Sequence, residues 1–209
     1  MLIAFEEIHS ILAKYVITIT GAFHIGAHEC EELDFYKTLG LTPTEVIWVD
    51  ALPNKVIEAQ LKGIPNVYNA VITDKDNEDV TFNIANNGCS SSVLQLCTHS
   101  VEHPDVVYVN TIETKSVTID TFFETNSIDA NKYNFWNMDI QGAELLALKG
   151  STKNISHVSV LYLEVSEKEL YSNCGLISEI DEFLESYGFR RVLTSMSIHG
   201  WGDALYIKY

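Results

Sequence analysis

Three positions in this chain set a chemically useful residue where it can act. In Ala22-Phe23-His24-Ile25-Gly26-Ala27-His28 a glycine follows a short apolar run, so the backbone can approach a ligand with no Cβ in the way. The run Val46-Ile47-Trp48-Val49 ends in Asp50, about twenty residues on, where an acid can hold a ribose diol. Phe135-Trp136-Asn137-Met138 ends in Asp139, a carboxylate placed to take the proton of a hydroxyl. His28 offers an imidazole, the side chain suited to acid–base exchange near neutral pH. A divalent cation such as Mg²⁺, held by Asp139 with Glu164, is the other means of acidifying a hydroxyl. No H-E-x-x-H or C-x-x-C pattern announces a metal.

The elements that must position these residues are legible in order. Leu2, Ile3, Phe5, Ile8, Ile11, Leu12 and Tyr15 recur at helical spacing, which predicts a capping helix over residues 1–15. Val16–Ile19 reads as a short strand or an approach to the first one, and the glycine turn is followed by a helix from Glu29 to Leu39, stopped by Gly40 and Pro43. Strands over Glu45–Val49 and Asn66–Ile72 flank a helix over Leu52–Lys62. Residues 76–118 form an insertion over the crevice, with strands at Val80–Ala85, Val106–Val109 and Ser116–Ile119. Order returns with a strand at Phe135–Met138, a helix at Gln141–Lys149 and a doubly buried strand at Val158–Val165. A strong helical stripe from Leu176 to Tyr187 precedes two strands, Phe189–Leu193 and Ala204–Ile207, that close as a hairpin. The series predicts one α/β domain over 1–209: a doubly wound, mostly parallel sheet ending in an antiparallel strand.

Composition narrows the function. With 209 residues and 46% hydrophobic content the chain can bury a sizeable core. A formal charge of −16 argues against a broad phosphate-backbone contact, so nucleic acid is disfavoured as a partner. No apolar run is long enough to insert into a membrane. Cys30, Cys89, Cys97 and Cys174 are widely spread, which predicts free thiols in a soluble, cytoplasmic protein.

A P-loop is absent, and Gly21 and Gly26 stand too far apart for the G-x-G-x-x-G fingerprint of dinucleotide enzymes. A ligand with a ribose but no pyrophosphate needs one glycine and one acid, and S-adenosylmethionine meets that requirement. His24-Ile25-Gly26-Ala27-His28, Trp48-Val49-Asp50-Ala51-Leu52-Pro53 and Asp139-Ile140-Gln141-Gly142-Ala143-Glu144-Leu145 together resemble the FkbM family of S-adenosylmethionine-dependent methyltransferases. Ser90-Ser91-Ser92, Ile119-Asp120-Thr121-Phe122, Leu163-Glu164-Val165 and Gly202-Asp203-Ala204-Leu205-Tyr206-Ile207 extend the match in the same order, over roughly residues 20 to 209. The chain departs from the family twice. His24 stands where a first-motif acid is usual, as in a branch with an Ile-Gly-Ala-His motif, and Gln141 replaces the glutamate of Asp-x-Glu-Gly.

The resemblance implies a class I methyltransferase, Rossmann-like fold and O-methylation, often of sugar hydroxyls in glycans and glycoconjugates. The cofactor would lie on His24, Gly26, Ala27 and His28, with Asp50 and Ala51 at its ribose and Asn69 and Ala70 beside its adenine. Asp139 would meet both cofactor and acceptor, and Ser91 and Ser92 would line the site. His199 and Trp201 are substrate-side candidates, the indole being a flat surface on which a sugar ring stacks. His99 and His103 read as solvated loop residues. A non-catalytic nucleotide-binding module and an NAD-linked oxidoreductase are the alternatives on the same fold.

Overall fold

The computed structural model describes residues 1–209. In chain order, α1 (Phe5–Lys14) precedes β1 (Ala22–Ile25), α2 (Leu33–Thr38), β2 (Val46–Asp50), α3 (Pro53–Leu61), β3 (Val67–Asn69) and β4 (Val71–Ile72). Next come β5 (Asp79–Ala85), α4 (His99–Glu102), β6 (Tyr108–Val117) and α5 (Ile119–Thr125). The chain ends with β7 (Phe135–Met138), α6 (Glu144–Lys149), β8 (Val160–Ser166), α7 (Ile177–Glu185), β9 (Phe189–Met196) and β10 (Trp201–Lys208). Seven strands form the main sheet in the order β3-β2-β1-β7-β8-β10-β9, and β4-β6-β5 form a smaller one. The main sheet is parallel except for β10, which runs antiparallel to both β8 and β9, as the terminal hairpin predicts.

Both faces of the main sheet are covered, which is why its strands are nearly continuous apolar runs. Phe23, Ile25, Val49, Trp136, Met138 and Leu163 face α5, α6 and α7 through Phe122, Leu148, Ile180 and Leu184. Ala22, Val46, Trp48, Phe135 and Tyr162 face α1, α2 and α3 through Ile8, Leu12, Phe35, Tyr36 and Val56. No helix is long and apolar enough to cross a membrane.

Register carries the sheet to the site. His24 pairs with Trp48 on one side and Asn137 on the other, and Asn137 pairs with Tyr162. Two residues along each strand, on the same face, stand Asp50, Gly26, Asp139 and Glu164, and Glu164 is paired with Asp203 of β10. The candidate residues, distant in sequence, form one transverse row at the carboxyl ends of β2, β1, β7 and β8. That is where an open α/β sheet binds its ligand.

The elements differ from the sequence reading where polar groups override periodicity. The helix expected from Glu29 begins only at Leu33, because His28 and Cys30 adopt positive φ (41° and 59°). Their turn directs the His28 and Glu29 backbone N–H groups to carboxylates instead of a helix ladder. Likewise α6 starts at Glu144, since Gln141 and Gly142 are left-handed (58° and 92°). The third strand divides: β3 stays on the main sheet, while β4 pairs with β6 in the smaller one. The two strands expected at 106–109 and 116–119 are one, β6, and Ile119 opens α5 behind the Thr118 cap. Of the two readings for Val16–Ile19, the segment forms no strand and is the approach to β1.

Candidate active site

A chamber of about 350 Å³ opens at the carboxyl ends of the central strands. Its floor is the register row: Gly26, Asp50, Asp139, Glu164 and Asp203, with His24, Asn137 and Tyr162 beneath. Leu52, Val71, Ile72 and Phe82 form an apolar flank. A second chamber of about 360 Å³ lies alongside and shares Met1, Cys89, Asp139, Gln141, Glu164 and Asp203 with the first. The carboxylate row is therefore the boundary between two adjoining volumes.

Asp50 is held rigidly. Its Oδ2 accepts the His28 backbone N–H at 2.7 Å and its Oδ1 that of Leu52 at 2.8 Å, so it both caps α3 and pins the glycine turn. Burial raises its pKa, a tendency opposed by those two N–H donors. Each oxygen keeps a lone pair, and the residue lines the first chamber.

Asp139 is open to solvent, yet only as the floor of the crevice, with protein packed around it. That enclosure raises its pKa, while a hydrogen bond from Gln141 lowers it. Gln141 Nε2 donates to Asp139 Oδ1 at 2.7 Å and to Glu164 Oε2 at 2.8 Å, and Tyr171 OH donates to Gln141 Oε1 at 2.6 Å. Here the departure from the family's glutamate has a physical reading. An amide can donate to both carboxylates where a third carboxylate would repel them. Glu164 is raised well above its ordinary range, by burial and then by Asp139. The amide fills the space between the pair, and no group of three or more His, Cys, Asp or Glu side chains could hold a metal ion. Asp139 and Glu164 therefore do not fit the Mg²⁺ site that the sequence raised.

His24 is not the charged counterpart of a first-motif acid. It is buried against Trp48 (ring centroids 4.9 Å apart) and burial pushes its pKa down to about 4, so the ring is neutral. Tyr36 OH donates to its Nδ1 at 2.9 Å, and Asn137 Nδ2 donates to Tyr36 OH at 3.0 Å. His28 lies at the rim, its Nδ1 donating to Glu31 Oε1 at 2.8 Å and its Nε2 3.6 Å from Cys89 Sγ.

The remaining candidates divide. Ala51, Ala70 and Ser91 line the first chamber. Ala27 is buried outside it, and Asn69 is exposed, with Nδ2 donating to the Asp50 and Ala51 carbonyls. Both support the wall without forming it. Ser92 is fully buried, donating through Oγ to the Gln141 carbonyl at 2.8 Å. Trp201 lines the second chamber. His199 lines neither, because its Nδ1 is tied to Glu102 Oε2 at 2.6 Å.

Sequence reasoning assigned no site role to Asp203, Gln141 or Tyr171. Asp203 had a signal: once β8 and β10 are paired, it stands opposite Glu164, and facing carboxylates on adjacent strands are unfavourable without a function to hold them. It accepts hydrogen bonds from Tyr162 OH and the Leu2 backbone N–H.

Glu144 stabilises the turn below this row. Its Oε1 accepts the Ile140 backbone N–H at 2.8 Å, and burial pushes its pKa from 4.5 up to about 8. A raised folded-state value means that the folded protein keeps the proton longer. The stabilisation is complete below about pH 4.5 and lost as pH climbs towards 8. Glu144→Gln keeps the acceptor and cannot ionise, so it should flatten this decline and exceed wild-type stability at pH 8 by a few kcal/mol at most. Denaturant titrations at pH 5 and pH 8 measure it.

The family described as methyltransferase FkbM domain matches residues 24–191. No curated protein matches the sequence. Among solved structures, the CurJ carbon methyltransferase superposes with a TM-score of 0.50 at 10% identity, over 96% of this chain and 51% of that one. Magnesium protoporphyrin IX methyltransferase from Synechocystis PCC 6803, with bound S-adenosylmethionine, gives 0.44 at 12%, over 98% and 79%. TrmK of M. capricolum, in complex with S-adenosylhomocysteine, gives 0.48 at 10%, over 100% and 69%.

Proposed function

This chain belongs to the methyltransferase FkbM domain family, and on that premise we propose that it transfers the methyl group of S-adenosylmethionine to a carbohydrate hydroxyl. The observation that carries the cofactor assignment is the acid-rich lining of the first chamber. Glu31, Glu32, Asp50, Asp139, Glu164 and Asp203 line it, and no Lys or Arg does. Such a surface suits a ligand bearing a sulfonium and an ammonium, and repels the pyrophosphate of a nicotinamide cofactor. Asp50 offers free lone pairs to a ribose diol, and the Leu52, Val71, Ile72 and Phe82 flank suits an adenine.

When bound, S-adenosylmethionine supplies a methyl carbon activated by its sulfonium. This chain's residues do the rest. The acceptor hydroxyl enters from the second chamber, which Trp201 and Tyr171 help to line, and meets Asp139 at the boundary. Asp139 takes the hydroxyl proton as the oxygen–carbon bond forms, and Gln141 keeps its carboxylate aimed and favours the ionised form against the effect of burial. Both partners are fixed on strand ends, so much of the rate gain comes from positioning. The same acidic lining disfavours nucleic acid as substrate. The four free cysteines suit a reducing compartment.

Calorimetry tests the cofactor assignment. Asp50→Asn should remain folded and bind S-adenosylhomocysteine about 10- to 100-fold more weakly, the loss of a charge-assisted pair of hydrogen bonds. Tight binding of NAD by the wild type, or unchanged S-adenosylhomocysteine affinity in the variant, would sink the reading.

A further inference from the structure

Asp203 is an acid of the row to which neither the proton transfer nor the ribose gives a task. It stands on β10 opposite Glu164 and lines both chambers. What it holds is backbone from the start of the numbering. Asp203 Oδ2 accepts the Leu2 N–H and the Tyr162 OH, and that same hydroxyl accepts the Ile3 N–H at 3.3 Å. A hydroxyl can donate and accept at once, so β8 and β10 grip two successive amides ahead of α1.

The gripped segment is anchored at one end only. Ile3 is 3% exposed and packs in the core with Ile8 and Leu12. Leu2 and Met1 are 44% and 38% exposed, yet Leu2 lines the second chamber and Met1 lines both. Packing therefore fixes Ile3, and the hydrogen bond to Asp203 is the one that Met1 and Leu2 make. Of the residues common to both chambers, Asp139, Gln141, Glu164 and Asp203 belong to the row and its bridge, whereas Met1 and Cys89 come from outside the main sheet. Met1 thus borders the path from the methyl donor to the hydroxyl at Asp139.

We propose that Asp203 and Tyr162 are positioning residues that latch residues 1–3 as a strap across the boundary between the chambers, and that the strap opens to admit and release the cofactor. This rests on the reading of the first chamber as the S-adenosylmethionine site and adds the element that closes it. A segment with exposed side chains and a single tie belongs to the low-stability end of a fold, from which moving lids are drawn. Closed, it keeps water from the boundary where the hydroxyl loses its proton, and there the field of the acid row is strongest.

The test uses the full chain, released from a fusion so that every variant begins at Met1. Leu2→Pro deletes the N–H that Asp203 accepts and leaves the chamber carboxylate in place. Leu2→Met keeps the N–H and is the control. NMR follows exchange of the Ile3 amide hydrogen, and stopped-flow fluorescence follows S-adenosylhomocysteine binding. In Leu2→Pro the Ile3 amide should exchange about tenfold faster or more. Association and dissociation of S-adenosylhomocysteine should both accelerate about tenfold, with Kd changing less than either rate, as for a gate. Leu2→Met should match the wild type throughout. Asp203→Asn, which keeps an oxygen for the N–H, should protect the Ile3 amide better than Asp203→Ala. Unchanged binding rates in a Leu2→Pro chain whose Ile3 amide exchanges freely would overturn the gate and leave the cofactor reading intact. An Ile3 amide as slow in Leu2→Pro as in the wild type would overturn the latch, since packing alone would then hold the segment. Faster dissociation with unchanged association would make the strap a fixed wall, which also overturns the gate. If the wild type does not bind S-adenosylhomocysteine, this inference and the reading beneath it fall together.

Discussion

Asp139→Asn is expected to fold, to bind S-adenosylhomocysteine nearly as the wild type does, and to lose ~10²–10⁴-fold in turnover, the range for a general acid–base group. Asparagine is isosteric and keeps an oxygen to accept the Gln141 Nε2 hydrogen, so the bridge across the two chambers survives. What it cannot do is accept the hydroxyl proton. The wild-type rate should rise with pH along a limb displaced above the usual carboxylate range, because enclosure raises the pKa of Asp139. Only the ionised form is a base, so activity is lost as pH falls through that value. The limb should be absent from the residual rate of the variant. The measurement is labelled methyl transfer to a glycoside acceptor across pH, with calorimetry as the folding control. Near-wild-type turnover would remove Asp139 from the mechanism and leave His28, held by Glu31 at the rim, as the base to test next.

The strands of this fold were legible because each had to be buried on both faces, and burial leaves an unbroken apolar run. Asp50 and Asp139 stood out because each ends such a run with a charge that neither face could hold. Register then explains why they act together, and register is not written in any one segment. It emerges when β7 inserts beside β1, bringing Asp139 level with Gly26 across more than a hundred residues of intervening chain. The turns were misread for a related reason. His28, Cys30 and Gln141 take left-handed backbones, and His28 and Gln141 are tied there by hydrogen bonds to carboxylates elsewhere in the chain. His99 was read as a solvated loop histidine because the short α4 has no periodic pattern. Only the packing of Tyr171 and His103 against it reveals that it is buried.

Gly26→Ala is the second large effect expected, and a matched control separates its causes. Gly26 has φ +91°, and a Cβ there would sit 1.8 Å from the Asp139 carbonyl oxygen and 2.8 Å from its carbonyl carbon. Gly40 has nearly the same φ, +89°, with nothing within 4 Å of an added Cβ. Gly40→Ala therefore reports left-handed strain alone, about 1–2 kcal/mol. Gly26→Ala adds a clash with main chain that cannot rotate away, so β1 or β7 must shift at its carboxyl end, for a total on the order of 3–5 kcal/mol. In a chain of this length that difference separates a fall of a few degrees in Tm from one of roughly 10 °C. The functional consequence should be larger still. Gly26 and Ala27 donate to the Val49 carbonyl at 2.9 and 3.0 Å, so displacing Gly26 moves the turn against β2 and the Asp50 contact that pins it. S-adenosylhomocysteine affinity should fall well over tenfold in Gly26→Ala and stay unchanged in Gly40→Ala, by calorimetry below the lower Tm. If the two variants behave alike, Gly26 is an ordinary turn glycine and the close approach of β1 to β7 does not shape the cofactor site.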